Sequence, residues 1–306
     1  MKFVNQKMTE DANKTLCVIL HYGSVKYTNN CIESITYEKN LDICVADNDP
    51  SQSYNPPEHL KDLITVIKTG GGCGFSEGNN IGVNSLLKEV HHSILILNND
   101  TIVTEGALNF LHNVLTSSNV GAVGPCMPYA DNTSKIWACG GFINKFNLSI
   151  GGLQPESGFP YEVDYLPGAA ILCRADLWKK VGGFNENYFL AYEEAELCLE
   201  IKKLGFRIMA EPRSCIYHKV GMSSENKPEY YYNSIRNRLI FSKYLYGKNF
   251  GIVYGILVTM PTLGSLTFRK SVTKSRLWIK AIFDEITGRK IDRGIFHSIA
   301  SRFNLF

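Results

Sequence analysis

The sequence predicts an α/β fold built on a mostly parallel central sheet, and three observations carry that expectation. Short apolar runs alternate with helix-like stretches over residues 15–125. Carboxylates stand just past the ends of two of those runs, and a glycine-rich segment precedes one of the helices. Continuous runs of about five apolar residues fit strands covered on both faces. Strand and helix in alternation bring such strands side by side in parallel.

Leu16–Leu20 reads as the first buried strand, and a helix-like stretch begins over Asn30–Ser34. Leu41–Ala46, Leu63–Ile67 and Ser93–Leu97 are the next strands, with a helix from Ser76 to Val90 between the last two, its apolar side made by Ile81, Leu86 and Leu87. After about residue 125 the pattern changes. Short strands are expected around Ile136–Phe142 and Tyr161–Leu166, then a helix at Ala175–Val181 broken by Gly182 and Gly183. A helix over Glu193–Leu204 is closed by Gly205, and residues 207–217 form one more strand. From Pro228 the composition turns aromatic, basic and helical. A boundary near 225 therefore divides an α/β domain, 1–225, from a mostly helical region, 226–306.

A chain of 306 residues, 44% apolar and 20% charged, is that of an ordinary globular protein. Its nine cysteines are scattered with no CxxC pair, so zinc is not expected and reduced thiols in the cytoplasm are. Residues 1–14 are polar and contain no apolar core of a signal peptide. The net charge of +3 hides an asymmetry, because residues 230–306 hold 13 Lys and Arg against three acids. A basic tail on an acidic body points to an anionic partner. Asn249–Phe268 carries no charge, yet Gly251, Gly255, Pro261 and Gly264 dilute it as a membrane span. Arg269, Lys270, Lys274, Arg276 and Lys280 follow, interleaved with Leu277, Trp278, Ile279, Ile282 and Phe283. That pattern suits the interface of an anionic membrane; a buried helical hairpin is the alternative. Nucleic acid is not expected, since the basic residues are confined to the tail.

Asp47 ends the second strand, and Asp100 follows the fourth in Leu97-Asn-Asn-Asp100. Ligands of open parallel sheets gather at the carboxyl ends of strands, so two acids there can face one crevice. Alone, each is equally a turn-capping Asp. Residues 70–82, GGGCGFSEGNNIG, let backbone approach a ligand closely. Neither the GxGxxG nor the GxxxxGK[ST] spacing occurs, so the dinucleotide and P-loop fingerprints fail. On the Glu193–Leu204 helix, Glu194, Leu197, Cys198 and Ile201 fall on one inward stripe, with Glu193, Glu196, Glu200 and Lys203 on the other side. Glu194 is thus a candidate general base, held in the first turn where the helix dipole favours an anion. His218, at the end of the last strand, is either a structural histidine or a ligand. Arg236-Asn237-Arg238 offers guanidinium forks suited to phosphate.

Together these residues resemble a family-2 glycosyltransferase of the GT-A fold, of the bacterial rhamnosyl- and galactofuranosyltransferase type. The resemblance covers roughly residues 15–245 and rests on Val45-Ala-Asp-Asn48, Gly74–Gly82, Leu97–Asp100, Leu166–Leu172, Gly183–Phe189, Tyr192–Cys198 and Arg236-Asn237. It implies inverting transfer of a sugar from a UDP- or dTDP-linked donor to a hydroxyl of a glycan or lipid-linked oligosaccharide acceptor. That chemistry belongs to surface polysaccharide (O-antigen or capsule) synthesis at the inner face of the cell membrane. The resemblance assigns Asp47, Gly74, Asn79, Asn80, Asn98, Asn99 and Arg236 to the donor, and Asp100 to a divalent metal, Mg2+ or Mn2+. His218 stands where some relatives supply a further metal ligand, and Glu194 where they supply the base. Trp137 and Glu193 are placed toward the acceptor. Two departures stand out: Asn98 replaces the first acid of the family's DxD element, and Glu194 is one methylene longer than the usual Asp. A sugar-1-phosphate nucleotidyltransferase and an inactive membrane-docked assembly subunit are the rival readings.

Overall fold

The computed structural model describes residues 14–219, 228–260, 268–289 and 291; the boundary expected near 225 lies outside them. The chain runs β1 (Thr15–His21), α1 (Val25–Glu33), β2 (Leu41–Asp47), a 3-10 turn (Glu58–Leu63), β3 (Ile64–Lys68) and α2 (Phe75–Leu86). Next come β4 (Ser93–Asn98), β5 (Thr101–Val103), α3 (Ala107–Leu115), β6 (Val120–Pro128), β7 (Ile136–Cys139), β8 (Gly141–Asn144) and β9 (Ser149–Gly152). Then follow β10 (Tyr161–Glu162), β11 (Ala170–Arg174), α4 (Ala175–Val181), α5 (Glu193–Lys203) and β12 (Arg207–His218). The C-terminal part contains α6 (Pro228–Tyr246), α7 (Lys248–Thr259) and α8 (Phe268–Ile286).

Among the described residues ten strands form one mixed sheet, with the path β10-β12-β6-β11-β4-β1-β2-β3. Strands β3, β2, β1 and β4 are mutually parallel, and β11 enters antiparallel between β4 and β6. The expected α/β sheet is therefore borne out. Strand side chains alternate between faces, and that period sorts the apolar runs into two cores. Leu16, Val18 and Leu20 of β1 with Ile94 and Ile96 of β4 meet α2, α4 and α5 on one face. Cys17 and Ile19 with Leu95 and Leu97 meet α1 and α3 on the other. Each fully buried Leu or Ile contributes about 1.5–3 kcal/mol. All nine cysteines are free.

Two strands carry no clear signal in the sequence. Strand β6, VGAVGPCMP, is buried at every position despite two glycines and two prolines. Its glycines admit neighbours: a Cβ on Gly121 would strike Ile201, Leu177 and Phe206, and one on Gly124 would lie 2.7 Å from Leu166. Strand β11 sits inside Leu166–Leu172, a segment whose sequence shows only a Pro-Gly turn. The expected strand Ile136–Phe142 divides into β7 and β8 at Gly140, whose φ is +77°, and Tyr161–Leu166 yields only the two residues of β10. Helix α1 starts at Val25 and ends at Glu33, where a helix was expected to begin. Its inward side is Thr28, Cys31 and Ile32, too polar a stripe to reveal its start.

Helix α6 belongs to two cores. Ile240 and Phe241 enter the α5 side of the sheet, while Tyr232, Ile235 and Leu239 pack with Leu277 and Ala281 of α8. Two buried carboxylates fix α8 on α6. Asp284 accepts from Tyr232 at 2.7 Å and Lys280 at 2.6 Å, and Glu285 faces Lys243 and, at 3.3 Å, Arg236. Among the described residues no helix is long and apolar enough to cross a membrane.

Gly121→Ala should therefore cost about 1–3 kcal/mol by overpacking the seat of α4 and α5. Chemical denaturation should show a lower midpoint with an unchanged slope.

Candidate active site

The carboxyl ends of the parallel strands open onto one edge of the sheet. β5 pairs antiparallel with the end of β12, setting Thr101 opposite His218. The Lys219 amide also donates to the Asp100 carbonyl at 2.9 Å. This register brings His218 Nε2 to 3.3 Å from Asp100 Oδ1. That oxygen is buried and has no hydrogen-bond partner. Two neighbouring ligands of an octahedral Mg2+, each about 2.1 Å from the ion, stand roughly 3 Å apart, so the pair fits a small divalent cation. Among the described residues no third His, Cys, Asp or Glu joins them. Water and diphosphate oxygens would complete the shell. Trp137 lies edge-on to the His218 ring, centroids 4.4 Å apart.

The glycine-rich loop is organised by a residue that the sequence did not single out. Asn48 Oδ1 accepts from the Cys73 amide and the Thr69 hydroxyl, both at 2.9 Å, and its carbonyl accepts from the Gly72 amide at 2.6 Å. Gly74 has φ +67°, and a Cβ there would sit 2.7 Å from the Phe189 carbonyl. The Phe75 amide donates to that same carbonyl at 2.7 Å, so the loop is fastened to the segment that leads into α5.

Several expected donor contacts are engaged by the protein itself. Asp47 is fully buried, and its carboxylate accepts from the amides of Asp49 at 3.3 Å and Tyr54 at 3.1 Å. These bonds shape the turn that follows the second strand. Asn80 bonds both backbone groups of Phe184 and the Glu186 carboxylate, so it clamps the 184–186 loop. Arg236 is buried, donating to the Asn187 carbonyl at 2.7 Å and facing Glu285. Its Nη1 thereby holds the 185–192 loop, while Nε makes no hydrogen bond. Asn99 ties the β4 end to β1 through the Tyr22 carbonyl at 3.2 Å and the Thr28 hydroxyl at 3.0 Å. Asn98 and Asp100 are half-buried beside it. Asn79 is buried; its amide group donates to the Phe75 carbonyl at 2.9 Å, and its Oδ1 has no partner.

Helix α5 starts from a strained turn. Ala191 and Tyr192 have φ of +70° and +78°, a left-handed conformation costing non-glycine residues about 1–3 kcal/mol each. Three contacts hold it. Asn237 Nδ2 donates to the Leu190 and Ala191 carbonyls at 2.7 and 2.8 Å, Tyr192 donates to the Leu148 carbonyl at 2.5 Å, and Arg236 holds Asn187. The turn delivers Glu194, which is only 8% exposed, with its Oε2 unpartnered. A Cβ placed on Gly168 would lie 3.9 Å from Glu194 Cβ and 3.3 Å from the Phe75 ring. The adjacent Ala169 carbonyl accepts from the Asn98 amide at 2.9 Å. One short loop thus separates Glu194 from the strand end that carries Asp100.

Burial raises the Glu194 carboxyl to about 7, restrained by the amides of the first helical turn and by a hydrogen bond with Glu193. Burial and the neighbouring Glu194 push Glu193 well above the usual range. Glu193 at 2% and Glu196 at 9% exposure are both inside, not on the outer face that a simple count gives them. The 185–192 segment and α6 cover that face. Tyr188 and Asn185 bond Glu196 at 2.7 and 2.8 Å, and the Phe241 ring packs tilted against Tyr192, centroids 5.4 Å apart. Glu193 is accordingly placed beside Glu194 and away from open solvent.

The glycosyltransferase-like family 2 model matches residues 53–239. The chain belongs to this family. The hexosyltransferase Agl10 of low-salt glycan biosynthesis in Haloferax volcanii is 24% identical over 293 residues, covering 93% of both chains. Rhamnosyltransferase WbbL of Escherichia coli is 24% identical over 236 residues, 72% of this chain and 87% of that protein. The mannosyltransferase PcManGT of Pyrobaculum calidifontis, solved with GDP-Man and Mn2+, superposes with a TM-score of 0.57 at 12% identity. That alignment covers 90% of this chain and 88% of the other, and shows a shared GT-A fold. The protein is a glycosyltransferase that moves a sugar from a nucleotide sugar. Within it, Asn48 and Asn237 were not foreseen as site residues, because each acts on backbone groups of distant loops and no local spacing shows that.

Two outcomes follow from the buried base. The folded state raises the Glu194 carboxyl above its ordinary 4.5. Its contribution to stability is therefore full below that pH and is lost as pH rises through about 7. Glu194→Gln should cut kcat about a hundredfold or more yet raise the melting temperature at pH 8, by the equivalent of roughly 1–3 kcal/mol, with no gain near pH 4. Asn237→Ala, which frees the strained turn, should lower kcat about tenfold or more while leaving donor affinity unchanged. Steady-state kinetics and calorimetric titration of the donor check both halves.

Proposed function

We propose that this glycosyltransferase is an inverting, metal-assisted enzyme that builds a surface or lipid-linked glycan. The observation that carries the reading is an unpaired, dry carboxylate, Glu194, one loop away from the Asp100–His218 pair. A base with a pKa near the working pH is matched to proton abstraction from an alcohol. Asp100 and His218 would hold Mg2+ or Mn2+. When bound, that cation neutralises charge on the leaving diphosphate.

Glu194 accepts the proton of the acceptor hydroxyl as its oxygen attacks C1 of the donor sugar, and the bond to the diphosphate oxygen breaks on the opposite face. The product then has inverted configuration at that carbon. Glu193, its carboxyl pushed upward by burial and by Glu194, shares a hydrogen bond with it, which supports a role in orienting the base. Asn98, Asn99, Asn79 and the Gly74 loop border the donor, and Trp137, against His218, walls the acceptor side. The longer reach of Glu194 relative to Asp is accommodated by the Ala191–Tyr192 turn that sets its helix. The WbbL and RfbF relatives, both rhamnosyltransferases, support a dTDP- or UDP-linked donor. The glycan biosynthesis in which Agl10 acts supports a glycan acceptor, and the basic C-terminal region supports a lipid-linked one at the inner face of the membrane.

The assay is release of nucleoside diphosphate from UDP- and dTDP-sugars with and without Mn2+. Asp100→Ala should weaken Mn2+-dependent donor binding at least about tenfold, read by thermal shift. Glu194→Gln should keep donor binding and lose about a hundredfold or more in kcat. Equal inertness of wild type and Glu194→Gln with every donor would leave the inactive assembly subunit standing. Pyrophosphate release from a nucleoside triphosphate and a sugar phosphate would support the nucleotidyltransferase.

A further inference from the structure

Helix α7 is amphipathic in the reverse of the usual sense. Gly251, Gly255 and Thr259 are its buried residues, while Phe250, Val253, Leu257 and Met260 are 61%, 57%, 58% and 49% exposed. Those four recur at helical spacing and form one apolar stripe. The small residues inside have a plain cause. A Cβ on Gly251 would lie 2.5 Å from the Ser242 carbonyl, and one on Gly255 2.9 Å from Leu239. Close approach to α6 explains the buried side and leaves the outer stripe without a structural purpose among the described residues.

A second element extends the stripe. The β8–β9 hairpin carries Phe146 at its tip, 86% exposed. Tyr254 of α7 and Tyr246 at the end of α6 fasten that tip through the Phe146 and Lys145 carbonyls, at 2.7 and 2.9 Å. Phe250 stacks on Tyr254, ring centroids 5.8 Å apart. Hairpin tip and helix stripe are thus one continuous apolar surface. Lys145 and Lys248, both exposed, flank it, and α7 contains no acid. Trp278 of α8 donates to Thr259 of α7 at 3.0 Å. On α8, Ile279, Phe283 and Ile286 are 61%, 59% and 56% exposed, with exposed Arg276 on the same helix.

We propose that α7 and the Phe146 hairpin tip form a lipid-docking surface that lies in the plane of an anionic bilayer. The proposal deepens the membrane part of the function proposed above and rests on it. The 12 residues of α7 reach about 18 Å, well short of the roughly 30 Å hydrocarbon core, so the helix lies on the membrane and does not span it. Apolar burial supplies the attachment, and the flanking lysines select anionic headgroups. A second copy of the chain would bury the stripe equally well but would set lysine against lysine. The geometry also connects docking to the reaction. Leu148, at the base of the same hairpin, holds the Tyr192 hydroxyl immediately before Glu193 and Glu194. The membrane face and the turn that carries the base are braced by one hairpin, which sets the acceptor entrance beside the lipid surface.

The test is flotation of the full chain on vesicles of phosphatidylcholine alone and of phosphatidylcholine mixed with phosphatidylglycerol. Wild type should float with the anionic vesicles. Val253→Asp combined with Leu257→Asp, and separately Phe146→Asp, should each lower the bound fraction about tenfold or more. Melting temperature and turnover of a soluble acceptor should be unchanged. Lys145→Glu should weaken binding to anionic vesicles only. The proposal is overturned if wild type floats with neither vesicle, or if the aspartate variants bind as wild type does. It is equally overturned if those variants break up a lipid-free dimer seen by light scattering while vesicle binding persists. Stabilisation by UDP and Mn2+, measured without lipid, reports on the transferase reading separately.

Discussion

Glu194 is a carboxylate kept dry with no cation paired to it, and the architecture around it serves that desolvation. Taking an ionised carboxylate out of water is costly unless a counter-charge or strong hydrogen bonds compensate. Here the compensation is incomplete by construction. Two helix-start amides and a hydrogen bond with Glu193 hold the group near 7 and stop short of a full salt bridge. A lysine or arginine at this point would stabilise the fold and remove the base. The strained Ala191–Tyr192 turn, the Asn237 clamp and the Tyr192–Leu148 bond are therefore best understood together. Each holds in place a group that would otherwise move toward solvent.

The opposite half of the site depends on register. Asp100 and His218 are far apart in the chain and meet because β5 pairs with the last residues of β12. Slipping that pairing by one residue would turn His218 to the other face. The same strand crosses the sheet beside β6, whose Gly121 lets α5 settle close through Ile201, while Gly124 admits Leu166 just before the Gly168 loop. Small residues in β6 thus act on the chemistry through helix position, without touching a ligand.

How much of this was legible in the sequence follows from what each signal measures. Apolar runs mark burial, and the strands at Leu16–Leu20, Leu41–Ala46 and Ser93–Leu97 were visible for that reason. β6 was not, because its residues were chosen for close approach, and glycine and proline erase strand propensity. The Glu193–Leu204 helix was visible from its 3.6 period, and Glu194 correctly falls on its inner stripe. The same count failed for Glu193 and Glu196 because it assumes water on the far side. Here α6 and the 185–192 segment occupy that side, a tertiary fact without local trace. Asp47 and Arg236 carry ligand-like side chains in ligand-like places, and their bonds to backbone groups and the approach of Arg236 to Glu285 are tertiary facts that no local spacing shows.

That last point changes the meaning of the C-terminal helices. α6 contributes Asn237 and Arg236 to the segment before the base, and Phe241 to the core beneath it. Glu285, on α8, is shared by Arg236 and Lys243. Buried ion pairs of this kind add little net stability, because desolvation offsets most of their attraction, but they penalise every arrangement that leaves one partner alone. Their effect is to fix α8 against α6 in one register, and with it the loop that Arg236 holds. The helices are thus scaffold for the base as well as carriers of the outer apolar stripe. A force applied at the α7 surface has a short, hydrogen-bonded route to the turn at Tyr192, through Tyr254, the hairpin and Leu148. Whatever orients that surface also bears on the turn that positions Glu194.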